Sequence, residues 1–247
     1  MPAPIESGRL RVVLVAARNP LNIGAAARAM SNFGFSNLRV VNPHEAAFRE
    51  ARSAVGASTL LAQAEEYRTG AEAVADCVLV VGTTSGHHRE LQHPLRRLEE
   101  GAQLIRGVLS SGNVALVFGS EKRGLSNEDL SHCHWLLRIP TREEHTSMNL
   151  GQAVAVCLYE LMRDAAGGQQ FSEESRAGSG ELERITVLLF EALRASGYLK
   201  LEASDSAEEK LRRLVRRLSW SAEDAEIWLG MLRQIIWKMR SGRDTSP

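Results

Sequence analysis

The sequence predicts an α/β fold, a parallel sheet covered by helices on both faces, followed by a smaller helical unit. Short β-branched and apolar runs at 10–15, 38–41, 77–81, 114–118 and 135–139 alternate with segments of helical character. Strands that alternate with helices imply parallel pairing, buried on both sides. The polar stretch GGQQFSEESRAGSG at 167–180 has no hydrophobic periodicity and breaks this pattern. Beyond it only helical patterns remain.

The elements follow in order. After the first strand, 22–33 reads as a helix, because Ile23, Ala26, Ala27 and Met30 recur at three-and-four spacing and Gly34 supplies a stop. After the fifth strand, 150–162 reads as another, with Val154, Leu158, Leu161 and Met162 on one side. Past the linker, 182–197 and 207–218 are amphipathic, the second opened by a capping box from Ser206 to Glu209 and burying Leu211, Leu214, Val215 and Leu218. A last helix at 221–240 places Trp228, Met231, Leu232, Ile235 and Met239 on one stripe. The expected organisation is an α/β domain at 1–166, a linker at 167–180, a helical domain at 181–240 and a fraying tail at 241–247.

Composition narrows the function by exclusion. Thirty basic residues balance thirty acidic ones, so net charge gives no pull toward nucleic acid and any RNA contact must rest on local patches. Lys210, Arg212, Arg213, Arg216 and Arg217 crowd one helix and form such a patch, although a charge run is commonly a solvated face. The N-terminus has no secretory pattern and no stretch approaches the roughly 18 apolar residues of a membrane span, which points to a soluble, cytoplasmic protein. Cys77, Cys133 and Cys157 are far apart in apolar runs and read as buried, reduced thiols.

Ligands of open parallel sheets bind beyond the carboxyl ends of the strands, so the loops there are the place to look for chemistry. Three are unusual: RNPLNIGAAARAM at 18–30, VFGSEKRGLS at 117–126 and RIPTREEHTSMNLGQAV at 138–154. Each alone could be a cap or a turn, but all three follow strands of one sheet. There is no GxGxxG after a strand and no GxxxxGK[ST] loop, which argues against dinucleotide binding and nucleotide hydrolysis. His132 with His134, and His87 and His88 with His93, lack further ligands; they read as polar loop histidines, and no metal is expected. No GxSxG elbow surrounds a serine.

Taken together, the three segments resemble the three motifs of the SpoU branch of the SPOUT methyltransferases in order and spacing. NIGAAAR with Asn22 and Arg28, GSEKRGL, and RIP followed by SMNLGQAV carry the likeness. ARAM at 27–30, NLRVVNP at 37–43, VVGTTS at 80–85 and KLRRLVRRL at 210–218 bring it closer to the TrmJ-type group of tRNA methyltransferases. The resemblance spans nearly the whole chain. It implies a C-terminal trefoil knot in the α/β domain, a homodimer, S-adenosyl-L-methionine as methyl donor, and tRNA as substrate, methylated on a ribose 2'-hydroxyl at position 32 of the anticodon loop. Ribosomal RNA, or RNA binding without catalysis, are the alternative readings.

By the same resemblance the cofactor touches Thr83, Thr84, Ser85, Gly119, Ile139, Ser147, Met148, Asn149 and Leu150. The resemblance also implies that Arg28 reaches the ribose, supported by Asn22, Glu121 and Ser147. The expectation that Lys210, Arg213 and Arg217 contact RNA alongside Arg28 rests on the basic patch, with a solvated face as its alternative. Two positions depart from the usual pattern, Met148 in place of Leu and His145 in place of a frequent Tyr. Methyl transfer is an in-line displacement that needs positioning and charge stabilisation. A guanidinium keeps its proton in proteins, so a charged Arg28 acting on the developing oxyanion is the expected role.

Overall fold

The computed structural model describes residues 6–53, 58–86, 92–163, 176–199, 205–218 and 220–241. The strands are β1 (Leu10–Val15), β2 (Leu38–Val41), β3 (Glu65–Tyr67), β4 (Leu79–Thr83), β5 (Leu95–Arg97), β6 (Val114–Phe118) and β7 (Trp135–Arg138). They pair in the order β3-β2-β1-β6-β4-β7-β5, every pair parallel. Parallel pairing requires each connection to cross back over a face, and helices do so on both sides.

On one face lie α1 (Pro20–Asn32), α2 (Glu45–Ser53), α3 (Ser58–Ala62), α5 (Leu98–Leu109) and α7 (Leu150–Arg163); on the other lie α4 (Gly70–Ala73) and α6 (Asn127–Ser131). The period-two geometry of a strand divides β1 between them. Leu10, Val12 and Leu14 join the core under α1 and α7, whereas Val13 and Val15 join Leu125, Leu130 and Cys133 on the α6 side. Helix α1 buries Ile23, Ala26, Ala27 and Met30 as its spacing predicts, and Gly34 ends it in the left-handed conformation at φ +76°. Helix α7 packs on α1 so closely that a Cβ at Gly151 would stand 2.5 Å from that of Ala25. Val154, Leu158 and Leu161 are buried there, each stabilising by about 1.5–3 kcal/mol, but Met162 is exposed.

Two edge strands, β3 and β5, were not expected from the sequence. The strand expected at 77–81 lies two residues later, and Cys77 precedes it as a buried thiol; Cys133 and Cys157 are also buried and free. Beneath β2, Arg39 is buried in an ion cluster, pairing with Glu65 at 2.8 Å and with Asp76 while stacking over Tyr67.

Beyond the sheet, α8 (Ser179–Ala195), α9 (Asp205–Arg217) and α10 (Ala222–Ser241) share a separate small apolar cluster built on Leu182, Ile185, Val215, Leu229 and Leu232. Three helices were expected there, yet the buried faces differ. On α9 the inward positions are Arg212, Val215 and Arg216; Leu214 and Leu218 are exposed and Leu211 only partly covered. The helix starts at Asp205, so Ser206 lies inside it and does not cap it. On α10 the buried stripe is Ala225, Leu229, Leu232 and Ile236, one step round from the expected face, and Trp228, Met231 and Ile235 are exposed. Helix α8 is tied back to the sheet by Ser179 N–H donating to Cys77 O at 2.8 Å and Gly180 N–H donating to Ala75 O at 2.9 Å. Among the described residues, no helix is long and apolar enough to cross a membrane. His87 and His88, and most of the stretch read as a linker, lie outside the described residues.

Candidate active site

The three motif loops leave the carboxyl ends of β1, β6 and β7, and one hydrogen-bond network joins them. The first loop turns sharply at Ala16, whose φ of +50° is a left-handed conformation that costs a residue with a Cβ about 1–2 kcal/mol. Asn19 then caps α1, its side chain accepting from Leu21 N–H, and Pro20 occupies the first helical turn where no N–H is missed. The second loop folds back on itself: Gly124 N–H donates to Ser120 O at 2.8 Å and Gly124 has φ +66°. A Cβ at Gly119 would lie 2.1 Å from the Gly124 carbonyl carbon, so only glycine fits.

Glu121 locks these two loops together. Its carboxylate accepts from the backbone N–H of Arg18 and of Asn19, each at 3.1 Å, and from Asn22 Nδ2 at 3.1 Å. Partial burial pushes this carboxyl up, but its own backbone N–H, Asn22 and the two loop amides outweigh burial and hold it below the ordinary carboxylate value. The third loop joins through Asn149, whose Nδ2 donates to Asn22 Oδ1 at 2.7 Å while its Oδ1 accepts from Gln152 N–H at 3.3 Å. Asn149 therefore caps α7 and bridges it to α1.

Between the carboxyl ends of β4, β6 and β7 this arrangement leaves a cavity of about 410 Å³. Thr83, Thr84, Ser85, Gly119, Ile139, Ser147, Met148 and Leu150, eight of the nine expected cofactor contacts, line it together with Glu121. Asn149 does not: its side chain is committed to the cap and to Asn22. Leu125, Leu130, Thr141 and Thr146 also line it and were not singled out from the sequence; all but Leu130 lie within an expected motif. Thr83 ties its rim to the sheet, donating to Val117 O at 3.0 Å.

A second cavity, about 750 Å³, lies on the other side of the Ser120–Gly124 loop, walled by Ala16, Asn22, Ser126 and Asp129. Arg28 lines neither cavity; it is exposed on α1 with no hydrogen-bond partner among the described residues. Glu121 is tied to the start of α1 by the backbone of Arg18 and Asn19 and the side chain of Asn22, and not by Arg28.

His132 and His134 lie in the loop between α6 and β7, as expected, but they face the interior and not solvent. His132 is buried at the end of α6, 3.6 Å from Glu183, and burial, opposed by Glu183, pushes its pKa down to about 4. His134 accepts the Val80 N–H at Nδ1, 3.0 Å away, and burial pushes it down to about 3. Among the described residues no three His, Cys, Asp or Glu side chains cluster as a metal site would require.

A parallel sheet whose carboxyl-end loops enclose a cavity of about 410 Å³, bridged by hydrogen bonds from Asn149 to Asn22 and from Asn22 to Glu121, defines an α/β protein with a small-molecule-sized site in the usual place for such a sheet. The model of the SpoU rRNA methylase family matches residues 9–159, and the chain belongs to that family. It is 35% identical over 92% of its length to the tRNA (cytidine/uridine-2'-O-)-methyltransferase TrmJ of Sodalis glossinidius (strain morsitans), covering 91% of that protein. The equivalent protein of Yersinia pestis (strain Pestoides F) is 36% identical over 92% of this chain and 91% of its own. Among solved structures, TrmJ from Z. mobilis ZM4 superposes with a TM-score of 0.78 at 33% identity, over 91% of this chain and 98% of that one.

Proposed function

We infer that the protein is an S-adenosylmethionine-dependent tRNA 2'-O-ribose methyltransferase acting on cytidine or uridine at position 32 of the anticodon loop. The observation that carries this reading is that the second and third motif loops line one cavity while Glu121 and Asn149 tie the first motif loop to them, in a chain similar over 92% of its length to relatives named for tRNA methylation. The cavity suits the cofactor. At about 410 Å³ it falls in the usual range of small-molecule sites, with Leu137, Ile139 and Leu150 as an apolar wall and Thr83, Thr84 and Ser85 as polar groups on its rim. When bound, S-adenosylmethionine supplies an activated methyl group.

The chain's own residues position and stabilise. Glu121, its oxygens filled by three donors and its pKa lowered, serves as a charged anchor for the first loop and not as a proton acceptor. Arg28, a permanent cation, stabilises the oxygen on which charge develops. Because Arg28 lines neither cavity within one chain, the reading includes a homodimer in which Arg28 of one protomer approaches the pocket of its partner. The apolar stripe of α7 is consumed in the core and lends the dimer no support.

In this reading residues 1–166 form the catalytic domain. In support of the knot that the family likeness implies, the loops after the neighbouring strands β4, β6 and β7 line one cavity together. Residues 181–240 form a helical domain that holds tRNA in the cytoplasm through Lys210, Arg213 and Arg217, of which Lys210 and Arg217 are exposed and Arg213 stands 3.7 Å from Glu209. The family description, which names rRNA, favours ribosomal RNA as the second reading. Labelled S-adenosylmethionine incubated with total tRNA, ribosomal RNA or no RNA separates them. Label in tRNA is the expected result. Label in ribosomal RNA alone favours the second reading, and cofactor binding without transfer to either indicates a binding module.

A further inference from the structure

The two cavities share the Ser120–Gly124 loop as a wall, and the short helix α6 follows that loop directly. Leu130 of this helix, with Leu125 ahead of it, lines the smaller cavity, and its Asp129, with the N-cap Ser126, lines the larger. The helix has five residues, about one turn and a half, and a helix of that length does not hold itself in place. Its first turn is closed by a reciprocal cap between Ser126 and Asp129. Its far end is held from outside the α/β layers.

There Ser131 and His132 are buried, and the group that meets them belongs to α9. Arg212 Nη1 donates to Ser131 Oγ at 3.2 Å, and the Ser131 hydroxyl donates in turn to Glu128 O at 2.6 Å. The same guanidinium is aimed by its other nitrogens: Nε and Nη2 donate to Glu183 at 2.9 Å, and Nη2 donates to Glu208 at 2.6 Å. Arg212 is only 7% exposed, so the helical unit turns one of its most buried charges away from its own apolar cluster and onto the end of α6. Among buried groups a planar fork with fixed partners fixes orientation as well as attraction. The same helix presents Lys210 and Arg217 to solvent, so one face clamps the site while the other is open to RNA.

We propose that Arg212 is a positioning residue for methyl transfer. Acting through Ser131, it keeps α6, and with it the Leu125–Leu130 wall, in the register that the cofactor pocket needs. Cofactor affinity thereby depends on the C-terminal helices. The proposal rests on the assignment of the smaller cavity to S-adenosylmethionine.

The test compares full-length wild type with Ser131→Ala, Arg212→Lys and Glu208→Gln. Ser131→Ala removes only the bridge, Arg212→Lys keeps charge without the fork, and Glu208→Gln removes an Arg212 partner that does not touch α6. Melting temperature, calorimetric S-adenosylmethionine affinity and single-turnover methylation at saturating cofactor are read on each. The bridge variants should bind cofactor three- to tenfold more weakly with the saturated rate within about twofold, while Glu208→Gln, whatever its melting temperature, keeps wild-type affinity. Unchanged affinity in both bridge variants, or losses in all three that follow melting temperature, overturns the proposal. A wild-type protein that does not bind S-adenosylmethionine sinks the pocket assignment itself, a result visible before any variant is made.

Discussion

Gly119→Ala is the substitution whose consequence the geometry specifies most closely. The added Cβ would stand 2.1 Å from the Gly124 carbonyl carbon, 2.2 Å from Leu125 N and 2.5 Å from Gly124 O, all backbone atoms with no side chain to swing aside. Ordinary contact needs about 3.4 Å or more, so the two strands of the loop must part by roughly 1.3 Å, beyond what the 2.8 Å Gly124–Ser120 hydrogen bond can survive. Overpacking costs about 1–3 kcal/mol and the lost bond about 1. If the loop opens to relieve the clash, closing it again on the cofactor costs about 2–4 kcal/mol, which at 1.4 kcal/mol per tenfold is a loss of about 30-fold or more in affinity. Calorimetric titration with S-adenosylmethionine, paired with thermal unfolding, measures both. Gly24→Ala is the control: no atom outside its own helix lies within 4 Å of the new Cβ, and α1 should gain about 0.8–1 kcal/mol with affinity untouched. Wild-type affinity in Gly119→Ala would refute the claim that this loop, as folded, is the cofactor cradle.

Arg28→Ala should lower single-turnover methylation by about 10² or more, as loss of an electrostatic stabiliser does, with folding and cofactor binding intact; Arg28→Lys should restore little. Near-normal turnover would remove Arg28 from the chemistry. Arg213→Glu with Arg217→Glu should weaken tRNA binding and flatten its salt dependence without altering cofactor affinity, and unchanged binding at low salt would return those residues to a solvated face. Stability should also depend on pH through His132. Its folded pKa of about 4 lies below the ordinary histidine value near 6.5, so the unfolded chain binds the extra proton between those values and stability falls as pH drops through that window. The loss from this one group between pH 7.5 and 5 is about 2 kcal/mol, read as a lower melting temperature that His132→Gln makes less steep. The lowered carboxyls of Glu121 and Glu183 add their loss further down, as pH falls below their unfolded value near 4.3.

The central strands were legible because parallel strands buried on both faces read as unbroken apolar runs, and α1 and α7 because their spacing matched their burial. The edge strands Glu65–Tyr67 and Leu95–Arg97 were not: each has three residues, is charged, and takes its identity from its neighbour's backbone. In α9, periodicity assigned the inward face to leucines. A carboxylate on another helix, Glu183, makes the inward positions of Arg212 and Arg216 tolerable, and no pattern within α9 contains that information. His132 and His134 misled for the same reason, their surroundings being set by Glu183 on α8 and Val80 on β4, each more than 40 residues away in sequence. In the site, eight of the nine cofactor contacts expected from the family motifs line one cavity. What the motifs did not show is that the Asn149 side chain caps α7 and bridges it to Asn22, a pairing across 127 residues.

The measurement that tests the central claim most directly is to map the nucleotide that receives the methyl group. Unmodified tRNA incubated with the protein and labelled S-adenosylmethionine, then hydrolysed in alkali, should yield one labelled, alkali-resistant dinucleotide beginning at cytidine or uridine 32, and the yield should collapse with Arg28→Ala. Label on a base, which leaves the backbone alkali-sensitive, or transfer that is indifferent to Arg28, would contradict the account.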